Sequence, residues 1–349
     1  MTSTLSPTTA TTAPQPPRRR WLRRLRNTGI GVAAVTVFAA GVGAATQAYA
    51  EHRDADRYPA PGQLVEIDGH TLHLNITGTK HAGEGPTVIL ESGMGPAFSD
   101  AWAWYQNAID DYAQVVSYDR PGLGWSDPHP HGTDPVQLAE DLHAALDQAD
   151  VEGPYLVVGH SLGAFHSRVF TQIFHDDVAG LVLLDPSHED QWERFPKPVL
   201  DAQPTYNRLL QTLPVAARFG ITRLYHPLEM LAEDLPAPVQ DRARAQVNKV
   251  DHLAATWDER DAFDEIGDAA RDHGSELGDI PLLVLSAGIE PEMPEITQTR
   301  VQMGKEFAEF SADGAWDLIA NADHNGLVSN GDLAAQVTPR IADMWQDVR

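Results

Sequence analysis

The sequence predicts an α/β protein with a mostly parallel central sheet flanked by helices, and three observations predict it. Short, near-continuous apolar runs recur along the chain, as strands buried on both faces of a sheet do. Helical stretches lie between several of these runs, which implies crossover connections. One run, Tyr155-Leu156-Val157-Val158, leads straight into Gly159-His160-Ser161-Leu162-Gly163 and then into a helical stretch. A serine between glycines at that point sits on a tight strand-to-helix corner, with its hydroxyl pushed outward.

Before the sheet comes a separate N-terminal region. The first 17 residues are a low-complexity mix of Thr, Pro, Ser and Ala, and six arginines follow by residue 26. Residues 1–26 are therefore expected to be a disordered basic N-terminus. No charge occurs from Asn27 to Ala50. Since about 20 apolar residues cross a bilayer, residues 27–50 read as a transmembrane anchor or signal segment. The preceding arginines place the N-terminus on the cytoplasmic side and everything from Glu51 onward outside. Ala48-Tyr49-Ala50 also fits an A-x-A cleavage site. Two fates stay open: a single-pass anchor by this N-terminal helix, or secretion after cleavage near Ala50. Residues 51–61, charged and ending in Tyr58-Pro59-Ala60-Pro61, read as a linker to a domain over residues 62–349.

Within that domain, Leu64-Val65-Glu66-Ile67, the turn Asp68-Gly69 and Thr71-Leu72-His73-Leu74-Asn75-Ile76 spell an antiparallel hairpin. Apolar strands follow at residues 87–90, 115–118, 155–158, 181–184, 281–285 and 316–319, with helices over 135–149 and 163–174. Residues 187–278 break the rhythm. They keep helical periodicity, as at Tyr206, Leu209, Leu210 and Leu213, without a clear strand. They are expected to form a helical cap inserted after strand 6, whose leucines, Phe219, Tyr225 and Met230 give a substrate an apolar wall.

Composition excludes several functions. The chain has 50 acidic residues against 25 Lys and Arg, a net charge of -25, and its arginine-rich start makes the remainder more negative still. Such a surface repels nucleic acid. With no cysteine, disulfides, thiol catalysis and thiolate metal sites are ruled out.

Four motifs in chain order carry a resemblance. Glu91-Ser92-Gly93-Met94-Gly95 follows the third strand, and Asp119-Arg120-Pro121-Gly122-Leu123-Gly124-Trp125-Ser126-Asp127 follows the fourth. The Ser161 corner is the third motif, and Asn321-Ala322-Asp323-His324-Asn325-Gly326 after the last strand is the fourth. With these, the chain from about residue 61 onward resembles the α/β-hydrolase fold superfamily, in its serine hydrolase or carboxylesterase-like branch.

The resemblance implies a nucleophile, a base and an acid. Ser161 is the expected nucleophile, and it needs a positioned base, for which His324 is the candidate. His160, beside the nucleophile, is expected only to support the loop. Two backbone N–H groups should receive the developing oxyanion: that of Leu162, at the start of a helix, and that of Met94, with Gly93 next. The acid stays open. Asp185, at the end of the strand over 181–184, is preferred, since some families with this fold keep their acid there. Glu290 or Glu292, after the strand over 281–285, is the alternative. Asp119, Gly122, Gly124 and Ser126 are expected to shape a turn, without a catalytic role.

The function implied is cleavage of a carboxylic ester through an acyl-enzyme, on a small-molecule substrate with an apolar acyl or alcohol part. No metal or organic cofactor is implied. Alternatives are a cofactor-free C–C hydrolase or perhydrolase with the same triad, or a surface binding module that keeps the fold without turnover. A serine at the corner disfavours the epoxide hydrolase and dehalogenase branches, which need a carboxylate there.

Overall fold

All the predicted apolar runs pair into one eight-stranded sheet. The computed structural model describes residues 18–95, 98–129, 131–228, 232–289 and 294–349. Helix α1 (Arg18–Arg57) precedes the hairpin β1 (Gln63–Ile67) and β2 (His70–Thr77). Then come β3 (Thr87–Glu91), α2 (Ala103–Ile109), β4 (Val115–Asp119), α3 (Pro135–Gln148), β5 (Tyr155–His160), α4 (Gly163–Ile173) and β6 (Val178–Leu184). Helices α5 (Gln191–Arg194), α6 (Lys197–Arg218), α7 (Thr222–Tyr225), α8 (Ala237–Gln246), α9 (Val250–Asp261) and α10 (Phe263–Gly274) lie between β6 and β7 (Leu282–Ala287). The chain closes with α11 (Pro294–Ala308), β8 (Gly314–Ile319), α12 (Gly326–Ser329) and α13 (Gly331–Asp347).

The strand order is β1-β2-β4-β3-β5-β6-β7-β8. β2 runs antiparallel to both β1 and β4, and the other pairs are parallel. Apolar side chains leave the central strands on both faces. Ile89 and Val157 pack toward one layer with Leu146 and Phe165, while Val88, Leu90, Leu156 and Val158 pack toward the other with Trp102 and Val337. Burial on two sides is why these strands read as continuous apolar runs. The chain crosses from β3 out to β4 and returns to β5 on the other side of β3. The carboxyl ends of β3 and β5 therefore border a switch point, where open α/β sheets hold their ligands.

Two boundaries differ from the sequence expectation. The residues expected as a linker are helical through Arg57, and the arginine cluster from residue 18 is helical rather than disordered. Ala-rich and straight-chain residues on both sides of the apolar segment let one helix propagate through it. In addition, α10 packs on α4 and α3, so it belongs to the layer flanking the sheet, and the cap proper is built from the helices before it.

Helix α1 holds the one segment among the described residues that is long and apolar enough to cross a membrane. Its last turns dock on the cap through polar contacts. The buried Gln47 side chain donates to the Asn248 carbonyl at 2.8 Å and accepts from Arg223 at 3.0 Å. Arg223 also donates to the buried Asp54 at 2.6 Å, and Glu51 accepts from the Val250 N–H at 3.0 Å.

Candidate active site

Ser161 sits between β5 and α4 with φ of 53°, in the left-handed region that a non-glycine residue rarely adopts. The flanking glycine at 163 is required sterically: a Cβ there would lie 2.5 Å from the carbonyl oxygens of Glu91 and Ser92. That close approach brings the start of α4 against the loop leaving β3.

Three side chains from three strand ends meet at this corner. Asp185 directly follows β6, and His324 lies on the loop between β8 and α12. His324 Nδ1 is 2.5 Å from Asp185 Oδ2, and His324 Nε2 is 2.9 Å from Ser161 Oγ. Asp185 is buried, which acts to raise its pKa. The hydrogen bond from His324 and the charge of Arg300 outweigh that and bring it down to about 2. An ionised carboxylate can only accept, so His324 carries its proton on Nδ1 and turns the Nε2 lone pair toward the serine hydroxyl. Asp185 is held in turn by the Ala287 N–H at 3.0 Å and by Arg300 at 3.5 Å.

Of the sequence candidates, the structure brings Ser161, His324 and Asp185 together. Glu290 and Glu292 lie outside the described residues, as does Met230. Met94 and Gly93 line the cavity beside Ser161. Leu162 is the residue before α4, whose N-terminus no side chain caps; the N–H groups of Ala164 and Phe165 bond the Ser161 and Leu162 carbonyls at 3.0 Å. Burial holds His160 neutral, with its pKa brought down to about 3, and its Nε2–H donates to the His324 carbonyl at 2.9 Å. His160 thus braces the histidine loop. Asp119 holds the turn after β4, accepting from the Ser99 and Trp125 N–H groups at 2.8 and 3.0 Å and pairing with His73 at 2.8 Å.

One contributor escaped the sequence reading. The buried Arg120 donates to Glu91 at 2.6 Å and to Glu259 of α9 at 2.7 Å, and its remaining N–H groups reach the carbonyls of Ser92 at 2.6 Å and Gly93 at 2.8 Å. Trp102 adds a hydrogen bond to Ser92 Oγ at 3.0 Å. Arg120 therefore pins the loop that carries Met94 and ties it to the cap. Its place immediately after Asp119, at a strand end, was the available signal; its partners are up to 139 residues away in sequence.

A cavity of about 320 Å³ opens over Ser161. Its apolar wall comes from Trp192, Phe195, Val199, Tyr206, Val247 and Phe263. Phe219 and Tyr225, expected in this wall, are instead on the surface, 40% and 79% exposed. They follow the end of α6, beyond the turns of that helix that face the cavity.

Comparison with known proteins agrees with this architecture. The sequence profile of the alpha/beta hydrolase family matches residues 88–337. YqjL of Bacillus subtilis is 27% identical over 279 residues, 80% of this chain and 90% of that protein. The chain spans only 17% to 42% of the length of other curated relatives it matches. Among solved structures, an esterase from Thermogutta terrifontis superposes with a TM-score of 0.56 at 19% identity, covering 82% of this chain and 98% of that one. An epoxide hydrolase from Bacillus megaterium superposes with a TM-score of 0.59 at 17% identity, covering 81% and 100%. At these identities the superpositions speak for the fold.

Proposed function

We propose that this chain, which belongs to the alpha/beta hydrolase family, is a serine hydrolase that cleaves carboxylic esters through an acyl-enzyme on Ser161. The observation that carries the reading is the unbroken Asp185–His324–Ser161 hydrogen-bond chain at the floor of an apolar cavity. Ser161 Oγ attacks the ester carbonyl while His324 Nε2 takes its proton. The N–H groups of Leu162 and Met94 receive the oxyanion, with the α4 dipole behind the first of them. His324 then hands its proton to the departing alkoxide. Water enters by the reverse sequence and frees the acid. Asp185 keeps the ring in the Nδ1–H tautomer and offsets the imidazolium charge. The nucleophile position holds a hydroxyl rather than a carboxylate, which favours acyl transfer over the epoxide chemistry of the Bacillus megaterium neighbour.

The test is labelling of the full chain by a fluorophosphonate probe, alongside hydrolysis of p-nitrophenyl esters. Wild type should be labelled and Ser161→Ala should not. Equal labelling of the two proteins, or no ester turnover by a labelled wild type, would sink the mechanism.

We further propose that α1 stays attached as a single-pass anchor, with the catalytic domain outside the membrane. Cleavage near Ala50 would remove Gln47 and with it the bond it donates to the Asn248 carbonyl and the bond it accepts from Arg223 Nε, a loss of about 0.5–1.5 kcal/mol per bond. An intact mass from isolated membranes that begins near Glu51 would refute retention.

A further inference from the structure

We propose that His70, His129 and Asp141, none of them part of the Ser161 machinery, form a binding site for a zinc-class divalent cation. The sequence expectation was a metal-free protein. Each of the three offers one ligand atom, and these atoms lie within 4.8 Å of one another. They come from three segments: the first residue of β2, the loop between β4 and α3, and α3 itself. His70 and Asp141 are buried, with side chains 4% exposed. Neither ring nitrogen of His70 has a hydrogen-bond partner, nor does Asp141 Oδ2, although His70 Nε2 is 3.4 Å from it. Buried polar atoms are nearly always satisfied, so an unpaired carboxylate oxygen beside an unpaired imidazole nitrogen indicates a missing partner. Gln137 donates to the other carboxylate oxygen, Oδ1, at 2.9 Å and orients Asp141, as outer partners of metal ligands do.

Two imidazoles and a carboxylate suit zinc better than magnesium or calcium, which prefer all-oxygen sets. At about 2.1 Å per bond, the ligand atoms of a tetrahedral zinc lie about 3.4 Å apart, so the widest pair must close by up to about 1.4 Å. Binding at either His129 nitrogen gives up only the long 3.3 Å contact that its Nδ1 receives from the exposed His131 N–H. His129 also lines a polar cavity of about 360 Å³ whose wall includes Asp251, Asp258, Asp261 and Glu265. Such a mouth concentrates cations next to His129. The bound ion would clip the β1–β2 hairpin to α3 and to the loop after β4.

The test uses the full chain in detergent, without a polyhistidine tag, stripped with EDTA and titrated with zinc chloride against a chromophoric chelator. A single zinc ion should bind per chain and raise the thermal unfolding midpoint. His129→Ala and Asp141→Asn, at positions outside the ester-cleaving machinery, should weaken binding at least about tenfold while leaving ester hydrolysis unchanged. No zinc uptake, or uptake equally tight in both variants, would overturn the site and leave His70 and Asp141 as a simple ion pair.

A second inference, resting on the membrane reading of α1, concerns the cap edge. From the geometry we infer that residues 215–225 lie on the bilayer surface. Val215, Phe219, Ile221, Leu224 and Tyr225 are all exposed there. This edge meets α1 inside its uncharged segment: a Cβ on Gly43 would lie 2.4 Å from the Phe219 carbonyl oxygen. Gly43 precedes Glu51 by about two helical turns, roughly 12 Å along the axis. The uncharged stretch of about 36 Å exceeds the ~30 Å hydrocarbon core by about 6 Å, so a core set against its N-terminal end closes about 6 Å beyond Gly43, and Phe219 dips into the outer part of the acyl region, as apolar faces of interfacial segments do. Because the chain has no cysteine, Leu224→Cys labels cleanly. In phosphatidylcholine vesicles a fluorophore there should be quenched by a lipid-borne quencher, and one on Asp347→Cys should not. Equal quenching at both sites, or protection of Leu224 by a second copy of the chain in a cross-linked dimer, would overturn the seating. Neither outcome bears on whether Ser161 cleaves esters.

Discussion

Replacing Asp185 by Asn changes one atom and should disable the site. The Asp185 Oδ1 accepts from the Ala287 N–H at 3.0 Å, and an asparagine keeps that bond with its carbonyl oxygen. Its NH2 group then occupies the Oδ2 position, 2.5 Å from His324 Nδ1. A donor facing Nδ1 forces the ring proton onto Nε2, which then meets the Ser161 hydroxyl donor-to-donor across 2.9 Å. The base is lost without removing a side chain. In triads of this geometry a wrong tautomer costs about 10⁴ in kcat, or about 5 kcal/mol of barrier. The assay is kcat for p-nitrophenyl butyrate, with circular dichroism showing an unchanged fold. Glu290→Gln and Glu292→Gln serve as parallel variants and should retain wild-type activity. If Asp185→Asn stays within tenfold of wild type, or one of the glutamine variants collapses instead, the assignment of the acid is wrong.

Further outcomes follow from the same contacts. Arg120→Met leaves Glu91 and Glu259 as unpaired buried carboxylates and should cost about 3–5 kcal/mol of stability in urea unfolding. In whatever fraction folds, kcat should fall more than KM rises, because the loop bearing Met94 is released; unaltered kcat would argue against its positioning role. The folded-state pKa of Asp185, about 2, lies below its unfolded value of about 3.9. Its contribution is therefore complete above about pH 4 and lost as pH falls through about 2, an amount of roughly 2–3 kcal/mol. Wild type should lose that advantage over Asp185→Asn on acidification, and a gap that widens at low pH would contradict it. Truncating Phe195 to Ala enlarges the cavity wall and should move the optimum in an acyl-length series toward longer chains; an unmoved optimum would place the acyl group elsewhere.

The sequence by itself determined the fold class and the strand ladder. Burial on both faces forces near-continuous apolar runs, so residues 87–90, 155–158 and 181–184 announced themselves locally. The serine corner was legible too: Gly159 answers a local steric demand, since a Cβ there would lie 2.9 Å from the Gly163 carbonyl oxygen. Tertiary structure alone decided which residues share a site. The approach of Asp185 to His324 depends on β6 being separated from β8 only by β7 in the sheet, a fact of strand order with no imprint on local pattern. Arg120 is likewise an unremarked residue in sequence until Glu91 and Glu259 arrive from distant segments. The same holds for Phe219 and Tyr225. Their apolar character was visible in sequence, but whether it faced the cavity or the outside depended on how α6 ends and where α1 docks. Local periodicity records which residues are buried, and only the assembled chain fixes what they are buried against.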